Sequence, residues 1–433
     1  MTPIVTGIIG ICVLLALMAV GMPIGFAMIL LGFMGYAYLV KLSGAFFVVS
    51  SIPYGVISNY DYCVLPLFLF MAAICLNAGL GQALFRLVYV WIGRMRGGLS
   101  VATVGACALF AAASASSIAT AVTMGLVAIP EMRRYKYDSG LATGCVAAGG
   151  TLGILIPPSG VLIIYGIITE QSISDLFIAG IIPGIILASL FMAMIHIRAR
   201  FNPKLAPAGP PISLKEKLAA TSDSAEMVAL LLLVIVGLIV GLFTPTEAGA
   251  VGAFGALVLS LIRRRLSWQG FKDSIVDTVR NTGMIFVIIV GAFIFNSFLA
   301  VTTIPMELAG WVGGLDLPPV SIMAVIIVMY LILGCFIDAL SMILLTIPIF
   351  FPLILTLGYD PIWFGIVIVL VVEMAMITPP VGINVYVISG ITKDVPMQTI
   401  FRGIIPFVII EFAFVILLIA FPQIALFLPS LSG

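Results

Sequence analysis

The sequence predicts an all-α polytopic membrane protein built from two inverted repeats, and three observations carry that prediction. The first is composition: 63% of the residues are hydrophobic and 9% charged, with a mean hydropathy of +1.31, far from soluble domains. The second is a set of landmarks that recurs at nearly constant distance along the chain. The third is a one-sided distribution of basic residues. Unpaired backbone groups cannot be left in hydrocarbon, so spanning segments are helices or a closed barrel, and the long apolar runs lack the period-two alternation of barrel strands.

Taken in order, runs long enough to span fall at about 4–20, 22–40, 62–79, 141–168, 176–196, 226–242, 246–262, 282–300, 362–391 and 404–428. MTPIVTGIIG has no basic n-region and no small-residue cleavage site, so it reads as a retained first helix rather than a leader. Two further runs, about 99–130 and 319–357, are interrupted midway by AAASASSIAT (111–120) and GCFIDALS (334–341). Each is either two crossings or a re-entrant hairpin. GQALFRLVYVWIGRMR (81–96) mixes Arg and Trp with Leu, Val and Phe, the composition of a helix lying along the membrane surface. Its counterpart falls near Ile304–Val312.

The landmarks pair the two halves. Pro23 matches Pro245, Asn77 matches Asn296, Pro130 matches Pro348, Pro157-Pro158 matches Pro379-Pro380, and GIIP at 180–183 matches GIIP at 403–406. The separations are nearly constant, at roughly 220 residues, which marks an internal duplication. The expected division is a first repeat at 1–197 (scaffold helices 1–98, hairpin and broken helix 99–170, closing helix to 197), a polar cytoplasmic linker at 198–225, and a second repeat at 226–433. The second repeat divides into scaffold helices 226–318, hairpin and broken helix 319–392, and a closing helix to 433.

Charge decides between hairpins and crossings. With both interrupted runs re-entrant, each half makes an odd number of crossings and the halves are inverted. The segments Arg86–Arg96, Arg133–Lys136, Arg198–Lys217, Arg263–Arg280 and Lys393–Arg402 then all face the cytoplasm, leaving outside only Lys41 of the 19 Lys and Arg. Both termini come out on the far side. A net charge of +1 gives no sign of nucleic acid.

Pro-Pro within GGTLGILIPPSG and EMAMITPPVGIN interrupts two apolar runs at equivalent places. Proline removes a backbone donor and clashes with the preceding turn, so each run is read as a broken helix; a simple proline kink is the alternative. Inverted repeats with broken helices are a transporter signature, because the break frees carbonyls and amides for an ion or anion. Asp338 is the most informative single residue. Intramembrane acids are functional candidates by default; the bland alternative is an acid reaching a neighbouring donor or water at a hairpin tip. Glu373, just before the second break, is a further candidate. Glu247 and Glu411 sit in scaffold-like helices, where structural pairing or contact with a partner subunit is expected. Cys12, Cys63, Cys75, Cys107, Cys145 and Cys335 are scattered singly, as small core residues, and the lone His196 lies in a basic helix end, so neither type suggests a metal centre.

The succession SASSIATAVTMG…IPEM, GGTLGILIPPSG, GCFIDALSMILLTIP and ITPPVGINVYV, with the GIIPG turn, resembles the large membrane (M) subunit of tripartite ATP-independent periplasmic (TRAP) transporters over essentially the whole chain. The resemblance implies an elevator-type carrier of the bacterial inner membrane with both termini in the periplasm. Sodium would be its coupling ion, two or more per cycle, with no organic cofactor. A small four-helix membrane subunit and a soluble periplasmic binding protein would be its partners in the bilayer, and an organic acid such as sialic acid or a C4-dicarboxylate its substrate. Carried over residue by residue, one sodium site would comprise Ser114, Ser116, Ser117, Gly149, Gly150, Thr151, Gly153 and Pro157. The other would comprise Gly334, Cys335, Asp338, Ala375, Thr378, Pro379 and Gly382. Ser114, Thr120, Ser159 and Asn384 would face the substrate, whose carboxylate the amides at the broken ends would attract.

A standalone sodium/dicarboxylate or ion carrier of related architecture is the competing class. A membrane enzyme is the third, and the chain has neither a GxxxxGK[ST] phosphate loop nor HExxH.

Overall fold

The computed structural model describes residues 2–432 except 210, 315 and 316; Pro210 of the expected linker and the two residues near the end of the expected second scaffold therefore lie outside the described residues. The first half runs through α1 (Pro3–Ala19), α2 (Ile24–Leu39), α3 (Leu42–Ser58), a 3-10 turn at Tyr60–Cys63, α4 (Val64–Asn77) and α5 (Leu80–Ile92). It continues with the hairpin α6 (Gly98–Ser114) and α7 (Ser117–Arg134), then α8 (Ser139–Leu155), α9 (Gly160–Thr169) and α10 (Ile173–Phe201). The second half repeats the order with α11 (Leu214–Ile239), α12 (Pro245–Ile262), α13 (Trp268–Thr302) and α14 (Ile304–Gly313). Its hairpin is α15 (Pro319–Leu333) and α16 (Ala339–Thr356), followed by α17 (Pro361–Ile377), α18 (Ile383–Ile391) and α19 (Met397–Ala420). Two short helices, α20 (Gln423–Leu426) and α21 (Pro429–Ser432), end the chain. Eight segments among the described residues are long and apolar enough to cross a membrane, with α8 and α9 counted as one.

Local chemistry explains the boundaries, and it repeats. Asp138 caps α8 and Asp360 caps α17, each accepting the backbone N–H three positions on, from Leu141 and Trp363. Ser116 caps α7 as Asp338, its equivalent in the second repeat, caps α16. Capping boxes start α11 (Ser213 with Glu216) and α12 (Thr244 with Glu247). Glu247 is thus a capping residue. The helices also run past their apolar cores: α10 continues to Phe201 and α11 begins at Leu214, so the irregular part of the linker is 202–213. Helices need only capped, polar end turns to extend into water, which hydropathy does not register.

Packing obeys the same pseudo-symmetry. The hairpin α6–α7 lies on α8 as α15–α16 lies on α17, and across the repeats α7 packs on α18 as α16 packs on α9. Among the helices expected to form the scaffold, α2 packs along α13 and α12 along α4, through glycines. A Cβ on Gly32 would stand 2.8 Å from the backbone of Ile294, and one on Gly252 would stand 2.5 Å from Met71 Sδ. Gly32 is therefore as intolerant of a side chain as any glycine of the breaks.

One span differs from expectation. The sequence places nothing between 40 and 62, yet α3 fills that interval, and α3, the 3-10 turn and α4 together run antiparallel to the single 35-residue α13. Ile52 and Phe293 line one cavity, Tyr62 meets Phe286, and Asn77 Nδ2 donates to Ser274 Oγ at 2.9 Å. One repeat thus has a continuous helix where the other has a helix broken at Asn59. Pro53 and the polar Ser50-Ser51 within α3, with Asn59 and Asp61 just past its end, dilute the hydropathy of this interval, which hides it as a span.

The two amphipathic segments form α5 and α14, with Trp91 and Trp311 more than half exposed. The five basic segments meet on one face. Gly97 N–H donates to Ala206 O, Gly209 N–H to Gly93 O, and Asp138 N–H to Leu205 O. Tyr137 Oη donates to Pro207 O at 2.8 Å, so the linker straps the base of the first hairpin. Arg133 pairs with Asp394 at 2.8 Å, and Arg86 and Arg265 line one 320 Å³ cavity.

Candidate ion and substrate site

The first hairpin turns at Ala115, held at φ +49°, between Ser114, the last residue of α6, and the cap Ser116. The turn gathers oxygens. Ser114 Oγ and Thr120 Oγ1 are 2.6 Å apart, and each donates toward Ser116 O, at 3.3 and 2.8 Å. Glycines on α8 let this knot sit against the helix backbone. A Cβ at Gly153 would lie 2.9 Å from Ser116 O, and one at Gly150 would lie 3.1 Å from Ser117 O and 2.9 Å from Ala121 Cβ. Gly160, just past the first break, leaves 3.7 Å to Ala115 O, so the tip, the end of α8 and the start of α9 converge. Pro157 and Ser159 lie buried in that break, and Ser159 Oγ caps α9 by accepting from Leu162 N–H.

The second half reaches into this cluster. Ser117 Oγ donates to Asn384 Oδ1 at 3.2 Å, and Asn384 Nδ2 donates to Ala147 O at 3.5 Å, with Ser117 and Asn384 both buried. Their equivalents in the opposite repeats, at the offset that relates Pro157 to Pro379, are Ala339 and Leu162, an apolar pair. This particular side-chain bridge thus belongs to one junction of the repeats; at the equivalent junction Tyr165 Oη donates to Pro361 O at 2.6 Å instead.

At the second tip, Gly334 ends α15, and a Cβ there would run into Ala375 Cβ, which fixes the tip against α17. Asp338 caps α16, accepting from Ser341 N–H at 3.1 Å and from Ser341 Oγ. Cys335 Sγ is turned back to Leu331 O. Thr378 and Pro379 form the second break; Thr378 Oγ1 donates to Met374 O at 2.6 Å, and Gly382 adopts φ +62°, a conformation glycine takes without strain. Tip and α17 thus meet here at two small residues, Gly334 and Ala375, just ahead of the break.

Of the residues singled out from sequence, Ser114, Ser116, Ser117, Thr120, Gly150, Gly153 and Asn384 come together at one locus, and Gly334, Ala375 and the second break come together at another. Gly149 does not join the first tip; its Cβ would meet Cys107 Sγ on α6 at 2.8 Å. Thr151 spends its hydroxyl on Ala148 O at 2.6 Å. Sequence reasoning missed Ala147, whose contribution is a carbonyl without a side-chain signal, and Ser341. The D-x-x-S spacing at 338–341 is the signal that could have found Ser341. Glu411, for which structural pairing or contact with a partner subunit is expected, finds no pairing within the chain among the described residues: it is 0% exposed, and neither carboxylate oxygen is bonded. Its helix packs inside the bundle, against α8 and α17.

The donor sets suit a small hard cation. Both loci offer neutral hydroxyl and carbonyl oxygens, with one carboxylate at the second tip, and no imidazole or thiolate cluster occurs among the described residues.

The family model for the tripartite ATP-independent periplasmic transporter, DctM component, matches residues 11–424. The chain is 38% identical over 376 residues to the C4-dicarboxylate TRAP transporter large permease protein DctM of Pseudomonas aeruginosa, covering 87% of each chain. It is 31% identical over 418 residues to the sialic acid TRAP transporter large permease protein SiaM of Vibrio cholerae, covering 96% of this chain and 97% of that one. Among solved structures, Neisseria gonorrhoeae MtrF shares the fold with a TM-score of 0.63 at 15% identity, over 98% of this chain and 95% of that one. The Alcanivorax borkumensis YdaH transporter does so with a TM-score of 0.62, also at 15% identity, over 89% of this chain and 90% of that one. By sequence along nearly its whole length, the chain belongs to the DctM component family, the large permeases of tripartite ATP-independent periplasmic transporters.

Proposed function

We propose that this chain moves an organic acid across the bacterial inner membrane by sodium coupling, receiving it from a soluble periplasmic binding protein and working beside a small four-helix membrane subunit. The observation that carries the reading is the seating of each hairpin tip against a broken helix, with the first tip bridged to the second break through Ser117 and Asn384. Sodium would be held at the first locus by the oxygens around Ser114, Ser116 and Thr120. At the second locus Asp338 and the carbonyls freed before Pro379 would hold it. A bound cation there neutralises part of an incoming carboxylate's charge, while Asn384 and the hydroxyls orient it. The hairpins and broken helices would move together as a transport domain against α1–α5 and α11–α14. Transport uses the sodium gradient and no ATP bound by this chain. The names of the relatives, for C4-dicarboxylates and for sialic acid, support the substrate class.

The test is uptake into proteoliposomes holding both membrane subunits, with candidate binding proteins and their ligands outside. Uptake is expected only with an inward sodium gradient and a loaded binding protein. Efficient uptake of free substrate by this chain alone would establish a standalone carrier instead.

A further inference from the structure

Two arginines from distant parts of the chain, Arg86 of α5 and Arg265 of the turn before α13, line one 320 Å³ cavity with Gly79, Gln82, Asp223 and Ser224. Separate elements are tied together to build it. Ser224 Oγ donates to Ala83 O at 3.1 Å, fastening α11 to α5, and Gly79, at φ +69°, turns the chain from α4 into α5 where a Cβ would meet nothing within 4 Å. The fold does not require the two arginines. At the offset that relates Asn77 to Asn296, Arg86 corresponds to Pro305, and at the offset that relates Pro23 to Pro245, Arg265 corresponds to Ser43.

Guanidiniums drawn to one cavity repel each other unless an anion stands between them. The chain supplies little. Ion pairs among the described residues engage Arg133, Arg134 and Arg263, while the side chains of Arg86 and Arg265 have neither an ion pair nor a hydrogen bond there. Of the acids on α11, Glu226 is taken by Arg263 at 2.8 Å, and Glu216 accepts from Ser213 in its capping box. Asp223 alone lines the cavity. Two guanidiniums against one carboxylate leave a single positive charge over, which one phosphodiester would neutralise. The surroundings are those of a membrane boundary. Leu261 and Ile262, at the end of α12 just before the arginines, are more than half exposed, and α11 exposes Leu232 and Leu233 two turns beyond Ser224. Trp91 and Trp268, both more than half exposed, lie under lysine ammoniums, Lys217 at 5.2 Å and Lys272 at 5.5 Å, the pairing of residue types that marks the headgroup level.

We propose that this cavity is a headgroup site for an anionic phospholipid: Arg86 and Arg265 hold its phosphodiester, Gln82 and Asp223 bond the hydroxyls of its headgroup, and its acyl chains lie along the exposed apolar residues of α11 and α12. The guanidinium fork matches phosphate oxygens, and basic pockets between helices at a membrane face take such headgroups. A soluble anion would meet the same arginines but would have no use for the apolar flank. The site lies on α5, α11 and the turn after α12, apart from the hairpin tips and breaks, so it stands independently of sodium coupling and substrate uptake.

Native mass spectrometry of the full chain in detergent, titrated with dioleoyl phosphatidylglycerol, dioleoyl phosphatidylcholine or inorganic phosphate, provides the test. Wild type is expected to take up one phosphatidylglycerol well before it takes up phosphatidylcholine, and inorganic phosphate should not displace it. With each basic residue near the headgroup worth about fivefold, Arg86→Gln and Arg265→Gln should each weaken that first event about fivefold, and both together roughly 25-fold. Arg265→Lys, which keeps the charge and loses the fork, should fall between Arg265→Gln and wild type. Arg264→Gln removes the same charge one residue away but lines no part of the cavity, so it should bind as wild type does. The proposal fails if wild type does not prefer phosphatidylglycerol, or if Arg264→Gln weakens binding as much as Arg265→Gln, which would mean general surface charge. It fails equally if inorganic phosphate displaces the lipid, which would make the occupant a free anion.

Discussion

Asn384 carries the contact between the repeats with its side-chain amide, accepting from Ser117 and donating to a backbone carbonyl of α8. Removing one partner of a buried hydrogen bond strands the other, at about 1–3 kcal/mol. Ser117→Ala and Asn384→Leu are each expected to lower thermal stability in detergent, and the double variant by less than the sum, because Leu and Ala reproduce the apolar pair of the other side; an additive double-mutant cycle would deny the coupling. Asp338 is a different case. Asn caps a helix about as well as Asp, so Asp338→Asn should fold normally while sodium dependence of uptake weakens; wild-type sodium affinity would remove Asp338 from the second locus. Close approach supplies a third comparison. Gly153→Ala forces a methyl to 2.9 Å from Ser116 O, whereas Gly283 has nothing within 4 Å. Uptake should fall at least tenfold for the first and hardly at all for Gly283→Ala, and equal losses would point to general packing.

The elements were legible in the sequence where hydropathy or proline spoke, and illegible where polar residues sat inside a span. Both interruptions and both breaks fall where their motifs place them, because proline and small-polar residues alter the backbone itself, and both amphipathic segments are helical. The helix at Leu42–Ser58 escaped because its serines and Pro53 lower its hydropathy, and the ends of α10 and α11 escaped because capped helices continue into water. In the site, side chains were legible but the backbone partners were not: no residue type at Ala147 advertises a carbonyl. Contacts between elements also set a pH response. Arg133, by donating a hydrogen bond, holds the Asp394 carboxylate below the usual aspartate range. A depressed acid stabilises above its unfolded value, about 3.9, and loses that contribution as pH falls through its lowered folded value. Both partners are well exposed, so the effect is small and screened by salt. Melting curves of wild type and Asp394→Asn should differ slightly from neutrality to about pH 5 and merge in stronger acid; a difference that grows on acidification would contradict the assignment.

At the scale of the whole molecule, the nearly constant offset between the repeats predicts opposite placement of equivalent loops. Asp175 and Gln398 are related by the same offset as the two GIIP turns and occupy corresponding first turns of α10 and α19. Single cysteines there, in a background without the native six, should react oppositely with an impermeant thiol reagent on spheroplasts: Asp175→Cys labelled, Gln398→Cys protected until the membrane is opened. Labelling of both, or neither, would end the inverted arrangement. The strap formed by the linker has a mechanical consequence in any such arrangement. Its last bond to the hairpin base, at Pro207, stands six Cα steps from the cap of α11 at Ser213, and a fully stretched chain spans at most about 3.6 Å per residue. The hairpin base can therefore stand no more than roughly 22 Å from the head of α11 before the strap unzips, which makes the linker a leash whose slack would bound the stroke of any domain that moves with that base.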